Sequence, residues 1–237
     1  MLKIFSFFLL ALFGAAAHAG LLESDWGPNQ GENGGQLVFA EGHLNLVSPA
    51  GGNASRKWAP GVLTFSSNWT IEAHVHLSDL NVQVSEVVTI GFAVHRAGDP
   101  FTVAAVELRD SGTFGRFASM HYRTGPLNGG SDDQPTEATD AVLALTYSVS
   151  ERVLRSSYSP LGGVIEEINA ASIDVSGVEL DEPLQISFYG LASRRSVVIA
   201  NAYLKDIAIL VPEPMAAAWL GVILLYRLRW RQRRTRS

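Results

Sequence analysis

Between Trp69 and Leu77 the chain alternates without a break: Trp69, Ile71, Ala73, Val75 and Leu77 are apolar, and Thr70, Glu72, His74 and His76 between them are polar. Successive side chains of a strand point to opposite faces, so this pattern describes a strand with one face in a core and the other toward water. A helix would scatter the same apolar residues around its axis instead of gathering them in one stripe. The period recurs. Val88, Ile90, Phe92 and Val94 form a second apolar face, Leu143, Leu145, Tyr147 and Val149 a third, Leu184, Ile186 and Phe188 a fourth, and the segment 197–210 reads as the last strand. After a turn at Ser150-Glu151-Arg152 the chain returns through Val153 to Tyr158, which makes a hairpin with the third face. Turn signals fall at Gly98-Asp99-Pro100, Asp110-Ser111-Gly112, Gly125-Pro126, Asn128-Gly129-Gly130 and Ser159 to Gly163. No body segment holds a 3.6-residue period over twelve residues. Half-buried strands in this number predict an all-β fold in which two sheets bury their inner faces on each other, a β-sandwich.

Composition narrows the function classes. Hydrophobic content of 47% rules out disorder for the bulk of the chain. The chain has no cysteine, so disulfides, thiolate nucleophiles and Cys-ligated zinc are excluded. Of the 18 basic residues, six lie beyond Tyr226 and one is Lys3, so residues 20–210 hold 11; of the 23 acidic residues only Glu213 lies outside that span, leaving 22. A body near −11 disfavours nucleic acid and anionic lipid as partners across its surface.

The ends differ from this body. Lys3 is followed by an apolar run from Ile4 to Phe13 broken only by Ser6, and Ala17-His18-Ala19 then places small residues where a signal peptidase needs them. The layout predicts a signal peptide over 1–19 and a mature chain that starts at Gly20. At the other end come Val211-Pro212-Glu213-Pro214, twelve uncharged residues from Met215 to Tyr226, and Arg227, Arg229, Arg231, Arg233, Arg234 and Arg236. The prolines separate the last strand from the apolar segment. Twelve helical residues span about 18 Å against a hydrocarbon core of ~30 Å, and extension to Trp230 with snorkelling arginines reaches about 24 Å. The arginines would hold the terminus on the cytoplasmic side and leave the body outside. An ordinary single-pass anchor would read the same way in hydropathy.

Those three C-terminal elements, in that order and opposite a signal peptide, resemble the PEP-CTERM sorting signal of Gram-negative bacteria. The resemblance covers residues 211–237. It implies recognition by an exosortase-type membrane protease, processing near Pro212-Glu213-Pro214, and delivery of the body to the cell surface or the extracellular polysaccharide matrix. The helix is short for such a signal, and Trp219, Tyr226 and Trp230 are bulkier than its usual filling. The body, residues 20–210, resembles the concanavalin A-like, laminin-G-like jelly-roll domains. What carries this is the succession Gly42 to Ser48, Trp58 to Leu63, the strand from Trp69, Ile90-Gly-Phe-Ala-Val94, Val106 to Gly112, and the hairpin of Leu143 to Tyr158.

Site residues do not transfer from that resemblance. Legume-type lectins hold sugar hydroxyls and organise calcium with an aspartate just before the Gly-Phe-Ala stretch, where this chain has Thr89 and Ile90. Laminarinase-type hydrolases of the same fold carry paired carboxylates on one strand face. Here Glu107 and Asp110, three apart on a strand, point to opposite faces and fail as catalytic partners. Glu72, His74 and His76 share a strand face, and a His-x-His pair with a third ligand can hold zinc; the polar face of an amphipathic strand explains the same residues more simply. Asp132, Asp133, Glu137 and Asp140 are expected in a loop, where oxygen ligands could serve calcium, but they lack the Asp-x-Asp-x-Asp-Gly spacing. Asn53-Ala-Ser55 and Asn68-Trp-Thr70 match the glycosylation triplet and are read as loop residues. No nucleophile elbow, phosphate-binding loop or dinucleotide fingerprint occurs. The expectation is therefore an exported, non-catalytic surface or matrix protein with no assigned cofactor. Its partners would be signal peptidase, exosortase, the membrane through the tail, and polysaccharide. The alternative is a glycan hydrolase or lyase on the same fold.

Overall fold

The computed structural model describes residues 16–17, 26–40, 42–48, 52–78, 82–96, 102–123, 129–172, 180–193 and 199–210. Most of the expected signal peptide, including Ala19 and Gly20, lies outside these residues, as do the turns at 98–100 and 125–126. The expected sorting motif Val211–Pro214 and the arginines from Arg227 to Arg236 lie outside them too.

Every element among the described residues is a strand: β1 Ala16–Ala17, β2 Gln30–Glu32, β3 Gln36–Ala40, β4 His43–Ser48, β5 Asn53–Leu63, β6 Trp69–Leu77, β7 Val87–Arg96, β8 Thr102–Ser111, β9 Gly115–Arg123, β10 Gly129–Pro135, β11 Asp140–Ser148, β12 Val153–Pro160, β13 Glu166–Ser172, β14 Leu184–Ser193 and β15 Ile199–Leu210. They form two antiparallel sheets. One has eight strands in the order β13-β12-β11-β6-β15-β4-β3, with β1 against the end of β15; the other has seven in the order β10-β9-β8-β7-β14-β5-β2. The chain crosses repeatedly from sheet to sheet, so strands distant in sequence lie side by side, as β6 lies between β11 and β15. The expected all-β two-sheet sandwich is the architecture found.

Alternation decides what lies inside. The apolar members of β6, from Trp69 through Leu77, are essentially inaccessible, as are Val88, Ile90, Phe92 and Val94 of β7, Leu143, Leu145 and Tyr147 of β11, and Ile186 and Phe188 of β14. Rings cluster among the buried residues: Phe188 packs edge-on against Trp26 and tilted against its strand neighbour Phe92, and Tyr147 lies between Phe65 and its strand neighbour Trp69. At one end Arg116 fastens the sheets together. It pairs with Asp110 at 2.8 Å and donates to the carbonyls of Ser78 and Ala138.

The structure corrects three expectations. Asn53–Ser55 is no loop but the start of β5, whose outward residues Asn53, Ser55 and Lys57 alternate with the small buried Ala54, too slight a hydrophobe to register as a core face. Asp132 and Asp133 are likewise in a strand. Gly129–Pro135, read in part as a turn, forms β10 by pairing residue for residue with β9, and as an edge strand exposed on both faces it needs no apolar alternation. Asn68 of the second triplet is tied down, accepting a hydrogen bond from the Val149 amide at 2.8 Å.

Phe92→Ala should cost about 3–5 kcal/mol in urea unfolding, because a fully buried ring is lost between the sheets. Val47→Ala, at a side chain 52% exposed, should stay within about 0.5 kcal/mol of the parent.

Candidate functional site

Each strand of the seven-stranded sheet that sends alternate residues into the core sends the others to the outer face. Register then aligns these outer residues in rows across the strands. One row crosses all seven: Gln30 on β2 pairs with Ser55 on β5, Ser55 with Tyr189 on β14, Tyr189 with Gly91 on β7, Gly91 with Glu107 on β8, Glu107 with Ser119 on β9, and Ser119 with Asp133 on β10. No residue in this row is aliphatic. At ~4.8 Å between neighbouring strands it is roughly 29 Å long.

The middle of the row is built around a close approach of two strands. A Cβ at Gly91 would lie 2.2 Å from the carbonyl oxygen of Val106 and 2.7 Å from the Cα of Glu107, so no side chain fits there. Tyr189 and Glu107 flank Gly91 and meet each other: the Tyr189 hydroxyl donates to Glu107 Oε2 at 2.5 Å. Glu107 Oε1 accepts from His121 Nε2 at 3.0 Å. A buried carboxylate needs such partners, since an unpaired one would cost several kcal/mol. The hydrogen bond to Glu107, more than the opposing burial, raises the His121 pKa; the charges of Glu107 and Asp133 add to the rise, and Arg109 works against it. Burial, then the Glu107 charge, pushes the Tyr189 phenol well above its ordinary value, so the hydroxyl keeps its proton. Two buried polar atoms beside the cluster, Ser119 Oγ and Arg109 Nε, have no hydrogen-bond partner among the described residues.

Toward the β2 edge the row opens into a cavity of about 610 Å3 over β2, β5 and β14, lined by Gln30, Glu32, Asn53, Ser55, Tyr189 and Leu191. Asn53 and Glu32 hold each other there: the Glu32 amide donates to Asn53 Oδ1 at 3.0 Å, and Asn53 Nδ2 donates to Glu32 Oε2 at 3.1 Å. Tyr189 lines the cavity and bonds to Glu107, so cavity and cluster are parts of one site. Chemically this is a strip of hydroxyls, amides and carboxylates on a rigid sheet. It is suited to gripping a polyhydroxylated ligand by directed hydrogen bonds.

The residues singled out as metal candidates lie on the outer face of the other sheet. His74 Nε2 and His76 Nδ1 both bond to Asp140 Oδ1, at 3.2 and 2.9 Å, and Glu72 stands one row further along β6, opposite Ala144 and Ala208. Among the described residues no group of three such side chains is arranged to hold a metal. Their polarity serves the protein itself. Partial burial works to raise the Asp140 carboxyl, but the hydrogen bonds from His76 and His74 outweigh it and hold the pKa below its usual value. His76 and His43 stack on the two faces of Tyr203, each 4.7 Å from it. Glu107 and Asp110 do point to opposite faces, as expected: Glu107 joins His121 and Tyr189, and Asp110 joins Arg116. His121 and Tyr189 escaped the sequence reading, because only strand register brings them to Glu107. The one signal in the sequence was Glu107 itself, the lone charged residue in the run Val103 to Leu108.

No protein-family model matches the sequence, and no curated protein matches it either. Its fold does match solved structures. The exoplasmic domain of VIP36, in a Ca2+/Man2-bound form, superposes with a TM-score of 0.52 at 14% identity, over 84% of this chain and 86% of that one. Lectin I-B4 from Griffonia simplicifolia gives 0.50 at 11% identity, over 81% and 94%. The CBM2 module of the evolved Dit protein of Lactobacillus casei BL23 phage J-1 gives 0.50 at 15%, over 79% and 80%. The body is thus a concanavalin A-like jelly roll in fold.

The raised His121 pKa links stability to pH. The folded value lies above the unfolded value near 6.5, so the Glu107–His121 contribution is complete below about pH 6.5 and is lost as pH rises through the folded value. Thermal melts from about pH 6 to about pH 9 should therefore show a fall in Tm that His121→Gln reduces; identical slopes in the two proteins would contradict the assignment.

Proposed function

We propose that this chain is an exported cell-surface or matrix protein whose body binds polysaccharide along the polar row of the seven-stranded sheet. The observation that carries the binding reading is the row itself. It is unbroken by aliphatic side chains, opens into a cavity of about 610 Å3, and has at its centre a carboxylate already committed to Tyr189 and His121. Groups held by their neighbours lose little freedom when a ligand arrives, which favours recognition by hydrogen bonds. Support from likeness is of fold: one matching structure is the carbohydrate recognition domain of Emp47p, and another is the Man2-bound form of VIP36. The export reading rests on the two terminal signals of the sequence, the signal peptide ending at Ala19 and the PEP-CTERM-like tail from Val211.

Substitution at the rim tests binding without touching the core. Gln30→Ala with Ser55→Ala should weaken the full chain's affinity for its best glycan on an array by about tenfold, roughly 1.4 kcal/mol for one or two net hydrogen bonds. Unchanged affinity would show that the row is not the binding surface. For export, mass spectrometry of the protein from its own cells should find a chain that starts at Gly20 and ends near Pro214. A C-terminus at Ser237 would contradict processing.

A hydrolase or lyase is the second reading, favoured by one observation: an imidazole and a phenol share the Glu107 carboxylate, a proton donor and acceptor on one face of the sheet. Hydrolysis would also need a second carboxylate at 5–5.5 or about 6.5–9.5 Å. Asp133 shares the row but stands two strands from Glu107, about 10 Å between backbones. Release of new chain ends from a polysaccharide, abolished by His121→Ala, would select this reading.

A further inference from the structure

We infer, resting on that reading of the row as a glycan site, that its ligand is an internal stretch of an uncharged polysaccharide lying across the strands, rather than the terminal sugar of a chain. Three features point this way.

The first is length without a wall. The row runs from one edge of the sheet to the other, and both edge strands stand in solvent: β2 is exposed throughout and β10 nearly so. A site for a terminal sugar is closed at one end, whereas among the described residues this one is open at both. The second is the separation of its two gripping regions. Ser55 beside the cavity and Glu107 in the cluster stand three strand spacings apart, roughly 14 Å. A single sugar ring cannot reach both, and several linked rings can.

The third is charge. Carboxylates lie on and beside the path: Glu107 in the middle, Asp133 at the β10 edge, and Glu32 at the β2 edge on the flanking row. Among the described residues, Lys57 and Arg109 on the flanking rows are the cations set against them. A polymer with a carboxylate on every sugar would bring like charges together at three places, on a body whose net charge is already near −11. A chain of hydroxyls meets no such opposition. It can also offer hydrogen bonds at His121 Nδ1, which has no partner among the described residues.

The test is calorimetric titration of the full chain, held in detergent, with neutral glucan, mannan and xylan oligomers of two to ten sugars and with oligogalacturonates of matched length. In at least one neutral series affinity should climb tenfold or more from dimer to octamer and then level off, with matched oligogalacturonates at least tenfold weaker. Asp133→Asn, at the far edge of the row, should weaken the octamer several-fold and leave the dimer unchanged. Equal affinity for dimer and octamer, or tighter binding of the uronates, would overturn this inference and leave the glycan reading standing. Failure of every oligomer, and of the parent polymers in a pull-down, would sink the glycan reading itself.

Discussion

A strand that buries alternate residues leaves the others outside, and the whole molecule is organised by that constraint. The inner faces of the two sheets are satisfied by burial alone, through Trp69, Phe92, Tyr147, Phe188 and the aliphatic side chains around them, with no cysteine to help. The outer faces carry most of the polar residues, some of them buried among their neighbours. The eight-stranded sheet uses its outer face for internal bonding, with His43, Tyr203 and His76 stacked on one another and His74 and His76 held by Asp140. The seven-stranded sheet lays its polar groups out in a line that crosses every strand.

Glu107 shows what such a line demands of the fold. A carboxylate this well buried is tolerated only when its oxygens are engaged. Tyr189 and His121 engage them from β14 and β9, strands that lie on either side of β8. Tyr189 reaches Glu107 because the intervening residue is Gly91, where a Cβ would collide with the backbone of β8. The glycine thus has a double effect, letting β7 and β8 approach and leaving the phenol a path to the acid. The result is a fixed pattern of donors and acceptors in place before any ligand arrives.

The sequence disclosed the strands with large apolar inward residues and little else. β6, β7, β11, β12 and β14 were legible because Val, Ile, Leu and aromatic side chains mark their buried faces. β5 and β10 were not: one hides Ala54 and presents Asn53 and Ser55, and the other is an edge strand held by backbone pairing. The site was less legible still, because its residues come from seven separate segments between Gln30 and Tyr189. Period two shows which residues face outward, but only register shows which of them stand side by side. The His-x-His pattern was incomplete for the complementary reason. Spacing within β6 put His74 and His76 on one face, and their partner proved to be Asp140 on the neighbouring strand, bound by hydrogen bonds.

If the outer face of the seven-stranded sheet is the binding face, amide chemical-shift mapping during titration with the tightest-binding neutral oligosaccharide will show it most directly. Shifts should run along the row, at Ser55, Gly91, Ser119, His121, Asp133 and Tyr189, with the amides of His43, His76 and Tyr203 unmoved. Shifts centred on the His43–Tyr203–His76 face, with the row silent, would contradict that assignment.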